Sequence, residues 1–227
     1  MKLVIFDCDG TIVDSQHAIV SAMGRAFDTH HIVAPAREAV LSVVGLSLGE
    51  AIGRLLPADS DPEAIVALAE SYKRAFQELR RDPKNHEPLF EGMRELIHAL
   101  AAREDVLLGV ATGKSRRGVD ALFEREGFSR HFMTIQTADD HPSKPHPSMV
   151  LKAMAEAACC EIETVMIGDT TFDVEMARSA RVGAIGVGWG YHPVEELTAA
   201  GAHVVVDRCQ DLEATITQVF ERSEEAA

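Results

Sequence analysis

Long apolar stretches are missing from this chain of 227 residues. The longest uncharged apolar runs, such as 182–191 with its four glycines, fall far short of the ~20 residues that a membrane span needs, so a transmembrane helix is excluded. At the N-terminus the apolar run 3–6 stops at Asp7, too short for the ~7–15-residue core of a secretory signal. A cytoplasmic location is therefore expected. Cysteine is scarce as well: Cys8, Cys159, Cys160 and Cys209 form no Cys-x-x-Cys pair, and four in a chain this long suit reduced thiols better than a disulfide framework. Basic residues are outnumbered, 22 Lys and Arg against 36 Asp and Glu, for a formal charge of −14 with no long basic stretch to offset it. Nucleic acid and anionic membrane surfaces are thus poor partners.

What is present reads as an ordinary globule, long enough for one large domain or for a core with a smaller unit inserted. Short runs rich in Val and Ile at 3–6, 106–111, 132–136, 165–167, 184–187 and 204–206 carry the pattern of strands buried on both faces. Helical periodicity lies between most of them, as at 91–103 with Leu96, Ile97, Leu100 and Ala101, and at 115–126 with Val119, Leu122 and Phe123. This alternation predicts an α/β fold, a doubly wound, Rossmann-like parallel sheet.

Nearly a hundred residues separate the first strand from the second, and most of them read as helical, so this interval is expected to be an inserted all-α unit. Within it, 61–81 predicts a long helix with Asp61 as N-cap, Pro62 at the first position and Ile65, Leu68, Ala69, Tyr72 and Phe76 along one face. The crossing outward falls near 13–16, and the two prolines of 82–88 mark the return. The expected division is 1–14 with 84–227 as the core, and 15–83 as the insertion.

The chemistry-bearing residues cluster where predicted strands end. Strand one runs into Asp7-Cys8-Asp9-Gly10-Thr11, and in extended backbone Asp7 and Asp9 share a side while Cys8 points away. Two carboxylates in one cleft resist joint ionisation unless a cation or a proton intervenes. The second strand ends in Thr112-Gly113-Lys114-Ser115, a hydroxyl and free N–H groups at a helix start, which suits an oxyanion but by itself is more often a plain cap. A nucleotide-binding P-loop would need glycine where Leu108 stands. Lys144 sits among Pro142, Pro145 and Pro147, and a later strand runs into Asp169, with Asp173 a helical turn beyond. Singly each of these could be a turn or a cap. Together they fall at the carboxyl ends of parallel strands, where open α/β sheets bind ligands, and carboxylates with one lysine suit a magnesium ion and a phosphate ester.

At these motifs the sequence resembles the haloacid dehalogenase superfamily, in its phosphoglycolate-phosphatase-like branch with a helical cap. Asp7-Cys8-Asp9-Gly10-Thr11 looks like the first motif, Thr112-Gly113 the second, Lys144 the third and Gly168-Asp169-Thr170-Thr171-Phe172-Asp173 the fourth. Thr112 is followed by Gly113 and Lys114, where the commoner pattern has Asn after the Thr or Ser.

The resemblance implies a phosphatase acting on a small phosphorylated metabolite, phosphoglycolate being the first candidate, in a monomer or homodimer. Asp7 would be the nucleophile and Asp9 the proton carrier. Thr112, Gly113 and Lys144 would hold the phosphoryl oxygens. Mg2+ would be held by Asp7, the main-chain carbonyl of Asp9, Asp169 and Asp173. An aspartate at position 9 disfavours dehalogenation. A phosphomutase or pyrophosphatase of the same superfamily remains an alternative, as does a non-catalytic module that responds to phosphorylation. The segment 43–49 looks like a loop that closes over substrate and holds no Lys or Arg, which favours a phosphatase over a mutase. Arg54, Lys73, Arg74 or His17 could reach the leaving group, although on helices each is more often plain surface.

Overall fold

The computed structural model describes residues 1–81 and 87–225. Most of the expected return segment 82–88, and the last two residues of the acidic tail, therefore lie outside the described residues. Six strands, β1 (Lys2–Phe6), β2 (Val106–Thr112), β3 (Phe132–Thr137), β4 (Thr164–Gly168), β5 (Gly183–Val187) and β6 (Val204–Val206), form one sheet in the order β3-β2-β1-β4-β5-β6. Every pairing is parallel.

Helices cover both faces. One layer holds α5 (Met93–Ala101), α6 (Arg116–Glu126) and α10 (Leu212–Glu225), and the other holds α7 (Ser148–Ala157), α8 (Thr171–Ser179) and α9 (Val194–Ala199). The two-residue period of β1 serves both layers: Val4 and Phe6 join the first, Leu3 and Ile5 the second. This is why the central strands read as unbroken apolar runs. Strand order reverses between β1 and β4, so the helices that follow these two strands diverge and leave a crevice at their carboxyl ends.

Between β1 and α5 stand α1 (Gln16–Thr29), α2 (Arg37–Leu41), α3 (Leu48–Leu55) and α4 (Pro62–Arg81), which pack around a core of their own containing Met23, Phe27, Val40, Ile52 and Leu68. As expected, α4 starts at Pro62, and Asp61 Oδ1 accepts the Glu63 N–H at 2.9 Å. Its buried stripe is Leu68, Ser71, Ala75 and Leu79, while Ile65, Ala69, Tyr72 and Phe76 are only partly buried beside it. The predicted face is therefore displaced: small side chains take the centre because α1 comes close there, with Ala22 against Ala75 and Leu79. The helical unit is a cap over the crevice.

Candidate active site

β1 stops at Phe6 and the chain turns at once, with Gly10 at φ +87°. Only glycine adopts that angle freely, and a Cβ there would also lie 2.1 Å from Asp169 Oδ2. Asp7 and Asp9 both line a cavity of about 750 Å³ between sheet and cap, whereas Cys8 is buried in the core, the division expected from the sequence. Cys8, Cys159, Cys160 and Cys209 are all free thiols.

At the end of β4, Asp169 accepts the Thr11 hydroxyl at 2.8 Å on Oδ1 and the Tyr191 N–H at 2.9 Å on Oδ2. Asp173 belongs to the first turn of α8, where Thr170 donates its hydroxyl (2.7 Å) and its N–H (3.1 Å) to Asp173 Oδ2 in a capping box. The other oxygen, Oδ1, receives Lys144 Nζ at 2.6 Å, and the same ammonium lies 3.0 Å from Asp7 Oδ1. Lys144, a loop residue among three prolines, is completely buried.

Asp7, Asp169 and Asp173 each offer an oxygen within 4.8 Å of the others, all three buried. One ammonium against three carboxylates leaves the cluster negative in a dry environment, where like charges repel strongly. Burial pushes the Asp7 carboxyl up to about 6, against the pull of Lys144 and with the push of Asp173. Burial, Asp173 and Asp7 together hold Asp169 well above the usual carboxylate range. For Lys144 burial works against the charge, but Asp173 and Asp7 outweigh it and raise the ammonium above its ordinary value. Both carboxylate oxygens of Asp7 are buried, with the Lys144 ammonium as the ion-pair partner. Three buried carboxylates sharing a single ammonium are a donor set that fits a hard divalent cation.

The Asp9 side chain does not join this acidic group. Its Oδ1 accepts Lys114 Nζ at 2.6 Å, and that ammonium also lies 3.2 Å from Glu87 Oε1. The resemblance assigns the metal only the main-chain carbonyl of Asp9; the carboxylate of Asp9 pairs with Lys114. Thr112 and Gly113 line the cavity, and Thr112 Oγ1 accepts the Lys114 N–H at 3.2 Å. Ser115 caps α6 by accepting the Gly118 N–H.

The cap segment 43–49 lies over this floor. The Ser47 N–H donates to Ser143 Oγ at 2.8 Å, and Gly45 stands beside Thr170. Of the four helix-borne cations that could reach a leaving group, Lys73 lines the cavity and the other three do not. Arg54 lies over the Phe172 ring and pairs with Glu50, Arg74 donates to Ser71, and His17 is exposed. Arg80, Arg81 and Arg117 line the cavity instead.

The sequence profile of haloacid dehalogenase-like hydrolases matches residues 4–187. The chain belongs to that family. It is 38% identical over 207 residues to "Probable phosphatase IndB" of Dickeya dadantii, covering 90% of this chain and 89% of that one. It is 31% identical over 220 residues to a phosphoglycolate phosphatase of Chromobacterium violaceum, covering 93% and 95%. Among solved structures, a hydrolase from Pseudomonas syringae superposes with a TM-score of 0.84 at 26% identity, covering 96% of this chain and 99% of that one. The dehalogenase-like core with its helical cap thus accounts for nearly the whole chain.

Sequence reasoning missed Glu87, Tyr191 and Trp189. Tyr191 reaches both ends of the site: its N–H holds Asp169, and its hydroxyl meets the N–H and Oγ of Ser15, each at 3.1 Å, where the chain enters the cap. Trp189 Nε1 donates to the Thr11 carbonyl at 3.2 Å. Both lie in the loop after β5, another carboxyl end of a parallel strand, which is the signal that could have drawn attention to them. Glu87 carried no such signal, since a glutamate between two prolines reads as a solvated turn.

Proposed function

We propose that this chain is a magnesium-dependent phosphatase that hydrolyses a phosphate monoester through a covalent phosphoryl group on Asp7. The observation that carries this reading is Asp7 itself, a fully buried carboxylate at the floor of a cavity, next to one buried ammonium and two further carboxylates. In the first step an Asp7 oxygen attacks phosphorus, the ester P–O bond breaks, and Asp9 gives its proton to the departing oxygen. In the second, Asp9 takes a proton from water, the water oxygen attacks phosphorus, and the bond to Asp7 breaks with release of phosphate. Thr112, the Gly113 N–H and Lys144 orient the non-bridging oxygens. Asp7, Asp169, Asp173 and the Asp9 carbonyl would hold Mg2+, which neutralises charge and polarises the phosphoryl group when bound.

Phosphoglycolate is the first substrate to test, since a phosphoglycolate phosphatase is among the relatives. The cavity also favours larger esters: its volume of about 750 Å³ lies within the ~300–1,000 Å³ of sites for drug-sized ligands. Met23, Val44, Tyr72 and Phe76 supply an apolar wall, and Lys73, Arg81 and Arg117 supply positive charge. Small acids, hexose phosphates, aryl phosphates and diphosphate, assayed with Mg2+ and again with chelator, rank the candidates. Phosphate release that depends on Mg2+ and is lost in Asp7→Asn supports the reading. Undiminished turnover by Asp7→Asn refutes it, and activity that requires a bisphosphate activator would favour the phosphomutase.

A further inference from the structure

Four charged side chains of alternating sign run from the cap to Asp9. Arg80, in the last turn of α4, donates to Glu87 Oε2 through Nη2 at 2.8 Å and Nε at 3.1 Å. The other Glu87 oxygen lies 3.2 Å from Lys114 Nζ, which donates to Asp9 Oδ1 at 2.6 Å. The inner members are almost wholly enclosed, with side-chain exposures of 6% for Lys114 and 1% for Glu87. The four come from separate places in the chain: the turn after β1, the turn after β2, the return from the cap, and the cap helix itself. Desolvating such a row of charges costs several kcal/mol per ion, so its retention is weak evidence for stability alone.

The anchoring is one-sided. Asp9 Oδ1 is held by Lys114, whereas Oδ2 has no hydrogen bond among the described residues and Asp9 faces the cavity. Space is kept for the lysine stem by Gly118 on α6, where a Cβ would come within 2.9 Å of Lys114 Cγ. The Phe76 ring covers the same assembly, its centroid 5.5 Å from Lys114 Nζ and 5.0 Å from the Arg80 guanidinium carbon.

We propose that Lys114 and Glu87 are positioning residues that aim the free Oδ2 of Asp9 at the leaving-group oxygen, and that Arg80 ties this aim to the seating of the cap. The proposal rests on Asp9 being the proton carrier. Glu87 fixes the lysine, the lysine fixes one oxygen of Asp9, and the cap helix reaches the pair through a single guanidinium. No member but Asp9 touches the reacting atoms.

The test is a series of aryl and alkyl phosphates of rising leaving-group pKa, turned over by the full-length enzyme with Mg2+, with log kcat/KM plotted against that pKa. A donor in the right place flattens the slope, because poor leaving groups are the ones that need the proton. Lys114→Met and Glu87→Gln are expected to lose at least about tenfold on alkyl esters and little on nitrophenyl phosphate, steepening the slope toward that of Asp9→Asn. Arg80→Met should shift it in the same direction by less, and Lys114→Arg should restore part of the loss. Glu87→Gln is isosteric and carries the test should Lys114→Met fold poorly. A steep slope for Asp9→Asn beside unchanged slopes for Lys114→Met and Glu87→Gln, or a uniform loss across the series, overturns the positioning role alone. An unchanged slope for Asp9→Asn overturns the role of Asp9 and the proposal with it.

Discussion

The carbonyl oxygen of Gly45, in the cap, lies 2.6 Å from the point where a Cβ on Gly113, in the core, would stand. The Leu46 carbonyl lies equally near that point. Gly113 has no positive φ to require glycine, so it is the approach of the cap that excludes a side chain. Gly113→Ala should hold the cap off the floor by a few tenths of an ångström or more. Because displacements of about 1 Å cost about a hundredfold in rate, kcat/KM is expected to fall by at least tenfold while the melting temperature stays near wild type. Steady-state kinetics beside a thermal melt checks both.

Gly190 does for Asp169 what Gly113 does for the cap. A Cβ at Gly190 would stand 2.1 Å from Asp169 Cβ and 2.4 Å from its Oδ2. Gly190→Ala therefore has to displace the carboxylate that Thr11 and the Tyr191 N–H hold in place. Loss of an orienting contact around a metal ligand typically costs 10–100-fold in affinity, and titration calorimetry with Mg2+ should register a loss of about that size.

Lys144 is the cation that makes the acidic cluster tolerable. Removing one partner from a buried ionic group costs about 3–5 kcal/mol, so Lys144→Met should unfold at markedly lower denaturant concentration in chelator. Added Mg2+ should recover more stability in this variant than in wild type, since it supplies the missing positive charge. Denaturation curves with and without the ion decide the point, and equal Mg2+ responses would count against the arrangement.

Glu87 provides a pH signature. Burial pushes its carboxyl up, but Lys114 and Arg80 outweigh burial and hold it below the ordinary value of 4.5. A carboxylate with a depressed folded-state pKa stabilises the protein above its unfolded-state pKa, and that contribution disappears as pH falls through the folded value. Wild type should therefore lose stability as pH drops below about 4.5 more steeply than Glu87→Gln, which has no such proton to bind. Melting temperatures from pH 7 down to 3 test this.

Much of this was legible in the residues. The strand runs were readable because burial on both faces removes polar alternation, and Asp7, Asp9, Lys144, Asp169 and Asp173 were readable because the fold brings the ends of parallel strands to one edge. Lys144 and Asp173 nonetheless meet through burial that no local pattern encodes. The α4 stripe shifted for a similar reason: periodicity locates a face, but the close approach of α1 sets its centre on Ser71 and Ala75. Least legible were contacts between segments distant in sequence. His17, Arg54 and Arg74 looked able to reach a leaving group until the helices were oriented. The pairing of Glu87 with Lys114 depends on where the cap rejoins the core, which short-range patterns do not specify.

The most direct test of the central claim is intact-protein mass spectrometry after rapid acid quench of the enzyme turning over a phosphate monoester with Mg2+, followed by peptide mapping. The account predicts one added phosphoryl group, on Asp7, that is absent in Asp7→Asn and accumulates when Asp9→Asn slows its hydrolysis. Phosphate release at the wild-type rate with no labelled Asp7, or label on another residue, would contradict it.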